Sequence, residues 1–199
     1  LADRCTQHAL GLRPTVPHHD KCAGQRWQCI LRSTFQEHIS TTMPKHYLIT
    51  GGAGFIGSHL TERMLKDGHR VTIIDDFNTY YDPEIKWRNI AKVRDDINLV
   101  EGDIRDAILV ERTFAKGKFD HVIHIAARAG VRPSIKDPKL YFTTNIDGTF
   151  NLLDACRYHG VKNFTFASSS SVYGVNKKVP FAETDALHRT ISPYAATKL

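Results

Sequence analysis

Two residues near the end of the sequence, Tyr194 and Lys198, have the types and spacing of a proton-transfer pair. Pro193 suits the first position of a helix, and residues four apart on a helix lie on one face. An ammonium beside a phenol stabilises the phenolate and so lowers its pKa from about 10. Such a tyrosine can take the proton of a substrate hydroxyl while a hydride leaves the same carbon. Because this spacing is common on helices, the pair needs supporting context.

A run of four serines, residues 168–171, follows a predicted strand at residues 164–167. In doubly wound folds, ligands bind at the carboxyl ends of the strands. Serine hydroxyls at that edge can hydrogen-bond a substrate hydroxyl and the tyrosine. The alternative interpretation is a polar loop without a ligand.

The supporting context is a glycine-rich stretch far upstream, HYLITGGAGFIG at residues 46–57. Residues 47–50 predict a short apolar strand, and residues 56–67 predict a helix. The glycines between them match G-x-G-x-x-G at Gly52, Gly54 and Gly57, and Gly51 widens the match. Glycines let the backbone approach a diphosphate, and the helix N-terminus offers free N–H groups to the anion. A glycine turn that binds nothing is the alternative.

A second predicted strand, residues 71–75, ends in Asp75, 18 positions after Gly57. An acid near this spacing hydrogen-bonds the adenosine ribose hydroxyls of NAD and would repel the 2′-phosphate of NADP. The glycine turn and the acid together predict dinucleotide binding, with NAD preferred over NADP.

Strands and helices alternate along the remainder of the chain, which predicts parallel βαβ units with right-handed crossovers. We therefore expect an α/β fold, a doubly wound parallel sheet of the Rossmann type. Such a sheet usually has six or more strands, so we expect the chain to be truncated after the fifth strand, without its C-terminal substrate domain. The other predicted strands are residues 97–100 and 119–125, and the other predicted helices are residues 84–94, 107–115 and 138–159.

The composition fits a soluble globular protein, with 41% hydrophobic and 24% charged residues among 199. No apolar run reaches the length of a membrane span, so we expect no membrane partner. The net charge is +6, but no basic run interleaved with aromatic residues supports a nucleic-acid partner. Four scattered cysteines are too few for a disulfide framework, which indicates a reducing cytoplasm.

Residues 1–42 differ in kind from residues 43–199, which we expect to form the dinucleotide-binding domain. The segment begins without methionine and shows no sustained helical or strand period. We interpret it as an extension that is disordered or not native, with Met43 as the natural start. Cys22 and Cys29 have histidines nearby, but no C-x-x-C or H-x3-H pair accompanies them, so we expect no metal site.

Several motifs in order resemble the extended short-chain dehydrogenase/reductase family, the NAD-dependent epimerases and dehydratases. They are TGGAGFIG at 50–57, GDIRD at 102–106, HIAA at 124–127, NIDGTFNLLDA at 145–155, SSSSVYG at 168–174 and SPYAATK at 192–198. Two more, DDFNTYYDPEIKWRN at 75–89 and ARAGVRPS at 127–134, resemble the branch of UDP-glucuronate 4-epimerases. The resemblance covers residues 45–199 almost continuously.

The resemblance implies a role for each matching residue. Ser169, Tyr194 and Lys198 would be catalytic. We also expect Arg128, Ser170 and Ser171 to contact the carboxylate or the diphosphate of a nucleotide-sugar substrate, with a solvated loop as the alternative for Arg128. NAD would be the cofactor, held by Gly51, Gly54, Phe55, Ile56, Gly57, Asp75, Asn78, Asp103, Ile104, Ala126, Ala127, Asn145, Tyr194 and Lys198.

The serine run also separates branches of the family. In related dehydratases the two positions after the catalytic residue are Asp-Glu, which eliminate water, whereas here they are Ser170 and Ser171. The resemblance therefore implies C4 epimerisation through a 4-keto sugar. UDP-glucose is the nearest competing substrate, and a non-catalytic, truncated dinucleotide-binding product is the alternative function. Pairing of the full-length protein through the helix at 138–159 implies a homodimer, and we expect the fragment alone to be inactive.

Overall fold

Five parallel strands form the centre of the fold in the computed structural model, which describes residues 43–187 and 189–199. The predicted extension, residues 1–42, lies outside the described residues. The sheet order is β3-β2-β1-β4-β5, which confirms the predicted doubly wound Rossmann sheet. The strands are β1 (His46–Thr50), β2 (Arg70–Asp75), β3 (Asn98–Glu101), β4 (His121–His124) and β5 (Asn163–Phe166).

Helices connect the strands and cover both faces of the sheet. They are α1 (Phe55–Lys66), α2 (Pro83–Ile90), α3 (Ala107–Gly117), α4 (Val131–Lys136), α5 (Pro138–Phe142), α6 (Gly148–His159) and α7 (Pro193–Ala196). Among the described residues, no helix is both long and apolar enough to cross a membrane.

The alternation of side chains along β1 supplies two separate cores. Leu48 faces α3 and α6, where it packs with Phe114 and Leu152. Ile49 faces the opposite side, where it packs with Ile73 and with Ile90 of α2. Because both faces are buried, the central strands carry adjacent apolar residues, such as Leu48 and Ile49 in β1 and Ile73 and Ile74 in β2.

The chain order reverses beside β1, since β2 pairs with it on one side and β4 on the other. In open parallel sheets, such a reversal leaves a crevice beyond the carboxyl ends of the strands. The loops that follow β1, β2 and β4 therefore meet at one place, and the candidate site lies there.

Four segments differ from the sequence prediction. The fourth strand is His121–His124 and not residues 119–125, because Lys118 has a left-handed φ of 46° before it. After it, the N–H groups of Ile125 and Ala126 both donate to the Thr50 carbonyl. The predicted helix at 138–159 is continuous but contains a π-helical turn, Thr143–Asp147, between α5 and α6. Helix α4 and a 3₁₀ turn at Ser170–Tyr173 lie where loops were expected.

Candidate cofactor and active site

Backbone hydrogen bonds fix the glycine turn between β1 and α1. Within the turn, the Gly54 N–H donates to the Gly51 carbonyl at 3.1 Å. Gly51 donates to the Ile74 carbonyl at 2.8 Å and has a φ of +69°, which favours glycine. Gly57 lies against Gly51, and a Cβ at position 57 would stand 2.2 Å from the Gly51 oxygen. Gly54 is the N-cap of α1 and brings no side chain to cap the first N–H groups. Those N–H groups are available to an anion.

A cavity of about 330 Å³ opens on this turn. Of the fourteen predicted cofactor residues, eleven line it: Gly51, Gly54, Phe55, Ile56, Gly57, Asp75, Asn78, Asp103, Ile104, Ala126 and Ala127. Arg128, which we predicted as a substrate contact, lines this same cavity. Asn145, Tyr194, Lys198, Ser169, Ser170 and Ser171 are not among its lining residues.

Asp75 lies at the end of β2, in the cavity wall, and is only 3% exposed. Its carboxylate accepts hydrogen bonds from the backbone N–H groups of Ala53 and Phe77, both at 3.1 Å. Lys86 of α2 donates to it at 2.6 Å and lies 3.5 Å from Asp76. The lysine is itself 6% exposed, so the ion pair is buried. The predicted ribose-binding acid is therefore already oriented by three donors.

Sequence reasoning missed Lys86. No spacing rule connects it with Asp75, because only the path of α2 back over the end of β2 brings the two together. Tyr80 and Tyr81, which also line the cavity, were missed for the same reason. The signal that could have pointed to them is their position in the loop directly after β2, the edge where ligands bind.

Asp103 follows β3 and lines the cavity on the side away from β4. Arg105 donates three hydrogen bonds to the Asp103 carboxylate, from Nη2 at 2.6 Å, from Nε at 2.9 Å and from the Arg105 backbone N–H at 2.8 Å. Burial acts to raise the pKa of Asp103, but the hydrogen bonds and charge of Arg105 outweigh it and the pKa is lowered. The carboxylate is thus held ionised, as a hydrogen-bond acceptor for an amino group.

Asn145 lies in the π-helical turn and is buried. Its Oδ1 accepts from the Arg128 N–H at 2.7 Å, and its Nδ2 donates to the Arg128 carbonyl at 3.0 Å. The same Nδ2 donates to Thr197 Oγ1 at 2.9 Å. π turns are frequent at functional sites because they re-aim side chains. Here the turn connects the loop after β4 with the residues that follow α7, so Asn145 braces a loop that lines the cavity.

A buried histidine joins three elements beneath the same loop. His124, at the end of β4, lies 2.6 Å from Thr50 Oγ1 and 2.8 Å from Thr149 Oγ1. Burial, and then the charge of Lys198, lower its pKa to about 3, so the imidazole is neutral near pH 7. His124 therefore holds β1, β4 and α6 in register.

Lys198 lies at the carboxyl end of β5, where its Nζ donates to the Ala167 carbonyl at 2.9 Å. The residue is 3% exposed, and burial lowers its pKa to about 8. Its own carbonyl accepts from Ser168 Oγ at 2.7 Å, which fixes the end of the chain to the serine run. Helix α7 ends at Ala196, so Lys198 lies in the closing turn and not within the helix as predicted.

Tyr194 and Ser169 make other contacts. The Tyr194 ring lies edge-to-face with Tyr141, 6.2 Å between centroids. Ser169 Oγ accepts from the Ser171 N–H at 3.2 Å and so caps the 3₁₀ turn. The structure thus brings Ser168 and Lys198 together at the edge of β5. Within the described residues, the hydrogen bond of Lys198 Nζ goes to Ala167, which differs from the expected contact with the Tyr194 phenol.

The comparisons with known proteins agree with this architecture. The sequence model described as GDP-mannose 4,6 dehydratase matches residues 48–199. UDP-glucuronate 4-epimerase 4 of Arabidopsis thaliana is 43% identical over 177 residues, which cover 88% of this chain and 40% of the relative. Protein CapI of Staphylococcus aureus is 41% identical over 154 residues, which cover 76% of this chain and 46% of the relative. The chain thus spans less than half the length of these relatives.

Solved structures show the same fold. The UDP-glucose 4-epimerase of Thermus thermophilus, crystallised with NAD, is 40% identical with a TM-score of 0.68 and covers 77% of this chain and 47% of that chain. The enzyme of Bifidobacterium longum, in complex with NAD⁺ and UDP, is 35% identical with a TM-score of 0.71 and covers 77% of this chain and 45% of that chain. The chain therefore belongs to the GDP-mannose 4,6 dehydratase family, within the NAD-dependent epimerases and dehydratases of the extended short-chain dehydrogenase/reductase type.

Proposed function

We propose that this chain is the NAD-binding part of a nucleotide-sugar 4-epimerase acting on UDP-glucuronate. The observation that carries the proposal is the cavity at the carboxyl end of β1. Its wall contains both the N-terminus of α1, with its uncapped N–H groups, and the oriented carboxylates of Asp75 and Asp103. One end of NAD needs an anion-binding turn, and the other end needs acceptors for ribose hydroxyls and an adenine amino group.

The residues in the cavity fit NAD in both shape and charge. Gly51 and Gly57 let the turn pack tightly against neighbouring backbone, and Gly54 brings no side chain to the N-terminus of α1, where a diphosphate would bind. Asp75 and Asp76 stand beside the ammonium of Lys86, and a 2′-phosphate on the ribose held by Asp75 would face a carboxylate. We therefore keep the preference for NAD over NADP. When bound at this site, NAD would supply the acceptor and donor of a hydride for C4 of the sugar.

The chain's own residues would handle the proton and hold the sugar. Tyr194 would take the proton of the C4 hydroxyl, since the family position of the catalytic tyrosine falls on it. Ser169 would hydrogen-bond that hydroxyl, and Lys198 would supply positive charge at the edge of β5, where its ammonium lies. The apposition of Tyr194 to Lys198 would need a different rotamer of the lysine, away from Ala167.

The serine run favours epimerisation over dehydration. A dehydratase needs a carboxylate pair after the catalytic position, and Ser170 and Ser171 cannot replace it near neutral pH. We propose instead that these hydroxyls contact the sugar. Arg128 lines the cofactor cavity, so we assign its guanidinium to the cofactor side and not to the sugar carboxylate.

UDP-glucuronate is proposed because relatives named for that substrate match 88% of the chain at 43% identity. UDP-glucose is the second candidate, favoured by structures such as the Thermus thermophilus enzyme at 40% identity. A non-catalytic dinucleotide-binding product is the third. Since the chain spans less than half of these relatives, we propose that residues 1–199 alone turn over little substrate.

Assembly and location follow the same reasoning. Phe142, Ile146, Phe150 and Leu153 form an exposed apolar stripe along the π turn and α6. Such a stripe suits burial against a second copy, so we propose a homodimer for the full-length protein. We also propose a cytoplasmic location, which rests on the small number and scattered positions of the cysteines.

The test is an assay of the protein translated from the full gene. With UDP-glucuronate, nuclear magnetic resonance should detect UDP-galacturonate, and UDP-glucose should react at least about tenfold more slowly. Tyr194→Phe should abolish turnover and still bind NAD. Equal rates with both sugars would favour the second candidate, and NAD binding without turnover of either sugar would favour the third.

A further inference from the structure

Two loops on opposite sides of β1 are joined by side-chain hydrogen bonds. Tyr80, in the loop after β2, donates its hydroxyl to the Ala129 carbonyl in the loop after β4, at 3.0 Å. Arg128 Nη1 donates in the other direction to Asn78 Oδ1 at 3.2 Å. We call these four residues, Asn78, Tyr80, Arg128 and Ala129, the bridge.

The bridge spans the end of β1. Strands β2 and β4 are the two hydrogen-bonded neighbours of β1, so a link between the loops that follow them crosses beyond its carboxyl end. All four bridge residues line the same cavity as the glycine turn. The glycine turn and the bridge therefore line the same cavity, the turn at the end of β1 and the bridge beyond it.

The two halves of the bridge differ in how firmly they are held. On the β4 side, Ala129 O accepts a second phenol, Tyr141 Oη at 2.6 Å, and Asn145 binds both backbone groups of Arg128. On the β2 side, the Tyr80 N–H donates only within its own loop, to Asn78 Oδ1 at 3.0 Å, and Tyr80 is 50% exposed. Opening would therefore move the loop after β2 away from a fixed β4 side.

We propose that the bridge is a gate that keeps the dinucleotide in the cavity, with Tyr80 as the residue that latches it. This inference rests on the proposed epimerisation. In that reaction the hydride removed from C4 is the one returned to it, so the reduced cofactor has to stay bound while the sugar turns. A gate achieves this retention through slow opening and needs no increase in affinity.

A gate leaves a kinetic signature that a simple contact lacks. In this proposal, any dinucleotide that enters or leaves passes the bridge, so weakening the bridge speeds both association and dissociation. The dissociation constant then changes little, because it is the ratio of the two rates. A residue that only contacts the ligand instead raises the dissociation rate and weakens the affinity together.

The experiment is stopped-flow fluorescence of NADH binding to the purified chain, followed by a chase with excess NAD. Tyr80→Phe removes one hydroxyl and one latch. We expect both rate constants to rise by about two- to tenfold, the range for one lost hydrogen bond, with the dissociation constant within about twofold. The matched control is Tyr173→Phe, which loses a phenol-to-carbonyl bond to Ala182 O at 3.2 Å outside the cavity, and its rates should match the wild type.

A second measurement uses hydrogen exchange without cofactor. The backbone amides of the loop after β2, residues 76–82, should exchange faster in Tyr80→Phe than in the wild type or in the control. Unchanged rates in both measurements, or a rise in dissociation alone, would overturn the gate while leaving the proposed function standing. A wild-type chain that binds no NADH would overturn both.

Discussion

Asn145 binds the backbone of Arg128 as a complementary strand would, accepting from its N–H at 2.7 Å and donating to its carbonyl at 3.0 Å. One amide side chain from the π turn thereby satisfies both polar groups of a loop residue that forms part of the cofactor cavity. The loop after β4 needs no strand partner at this point, and Arg128 keeps its side chain free to reach Asn78.

Replacing Asn145 should therefore destabilise the fold. Asn145→Ala removes three hydrogen bonds and leaves the part-buried N–H and carbonyl of Arg128 unpaired, while Thr197 Oγ1 keeps its bond to the Tyr194 carbonyl. We expect the free energy of unfolding in urea to fall by about 2–4 kcal/mol. Asn163→Ala, which removes one exposed hydrogen bond to the Asp120 carbonyl, should cost less than about 1 kcal/mol. Equal costs for the two variants would contradict the bracing role.

Replacing only Lys86 of the buried Asp75–Lys86 pair should destabilise the fold more than replacing both residues. Lys86→Met leaves the carboxylate without its ammonium, and we expect a loss of about 3–5 kcal/mol in urea unfolding. The double variant Asp75→Asn/Lys86→Met should recover at least half of that loss, because no buried charge remains. The double variant should nevertheless bind NAD more weakly than the wild type, since it lacks the carboxylate that accepts from the ribose. Restored NAD affinity would contradict the role of Asp75.

Glycine should matter at position 57 more than at position 54. An added Cβ at Gly57 would meet backbone atoms of Gly51 and Gly52 at 2.2 and 2.6 Å, and backbone cannot yield cheaply. Gly57→Ala should cost about 3 kcal/mol in urea unfolding. At Gly54 the φ is −70° and the nearest atom would be 3.2 Å away, so Gly54→Ala should cost less than about 1 kcal/mol. The reverse order would contradict the described turn.

Lys198 should give the unfolding free energy a distinctive pH dependence. Burial lowers its pKa in the folded state from 10.5 to about 8. Below pH 8 both states hold the proton and the burial cost is present in full. Between about pH 8 and 10.5 only the unfolded state binds the proton, so this residue makes stability rise with pH by up to about 3 kcal/mol.

The measurement is urea unfolding at pH 7 and pH 10 for the wild type and Lys198→Met. Lys198→Met should lack the rise in unfolding free energy that Lys198 contributes. The stability of the wild type relative to this variant should therefore increase from pH 7 to pH 10. Lys162→Met, at an exposed lysine, should follow the wild type. A constant difference between wild type and Lys198→Met at both pH values would show that the ammonium is not buried.

The features read correctly from the sequence are those encoded within a few neighbouring residues. The glycine turn and Asp75 follow from short-range spacing, and the alternation of strands and helices gives the doubly wound sheet. The contacts that assemble the cavity wall are of another kind. Lys86 meets Asp75, and Tyr80 meets Ala129, only because separate βα loops converge beyond β1, which no local pattern records.

Two further features escaped prediction for a physical reason. A π turn differs from an α-helix by one residue in its hydrogen bonding, and the side chains of Thr143–Asp147 are compatible with either. The orientation of Asn145 toward Arg128 depends on that extra residue. Similarly, the short helix α7 places Lys198 in its closing turn, where the Ala167 carbonyl competes for the ammonium.

The central claim is that the glycine turn holds the diphosphate of NAD with Asp75 at the adenosine ribose. Its most direct test is isothermal titration of the purified chain with NAD and with NADP. We expect saturable one-to-one binding of NAD and at least about tenfold weaker binding of NADP. Gly57→Ala should bind neither dinucleotide. Equal affinity for the two dinucleotides, or NAD affinity that survives in Gly57→Ala, would contradict it.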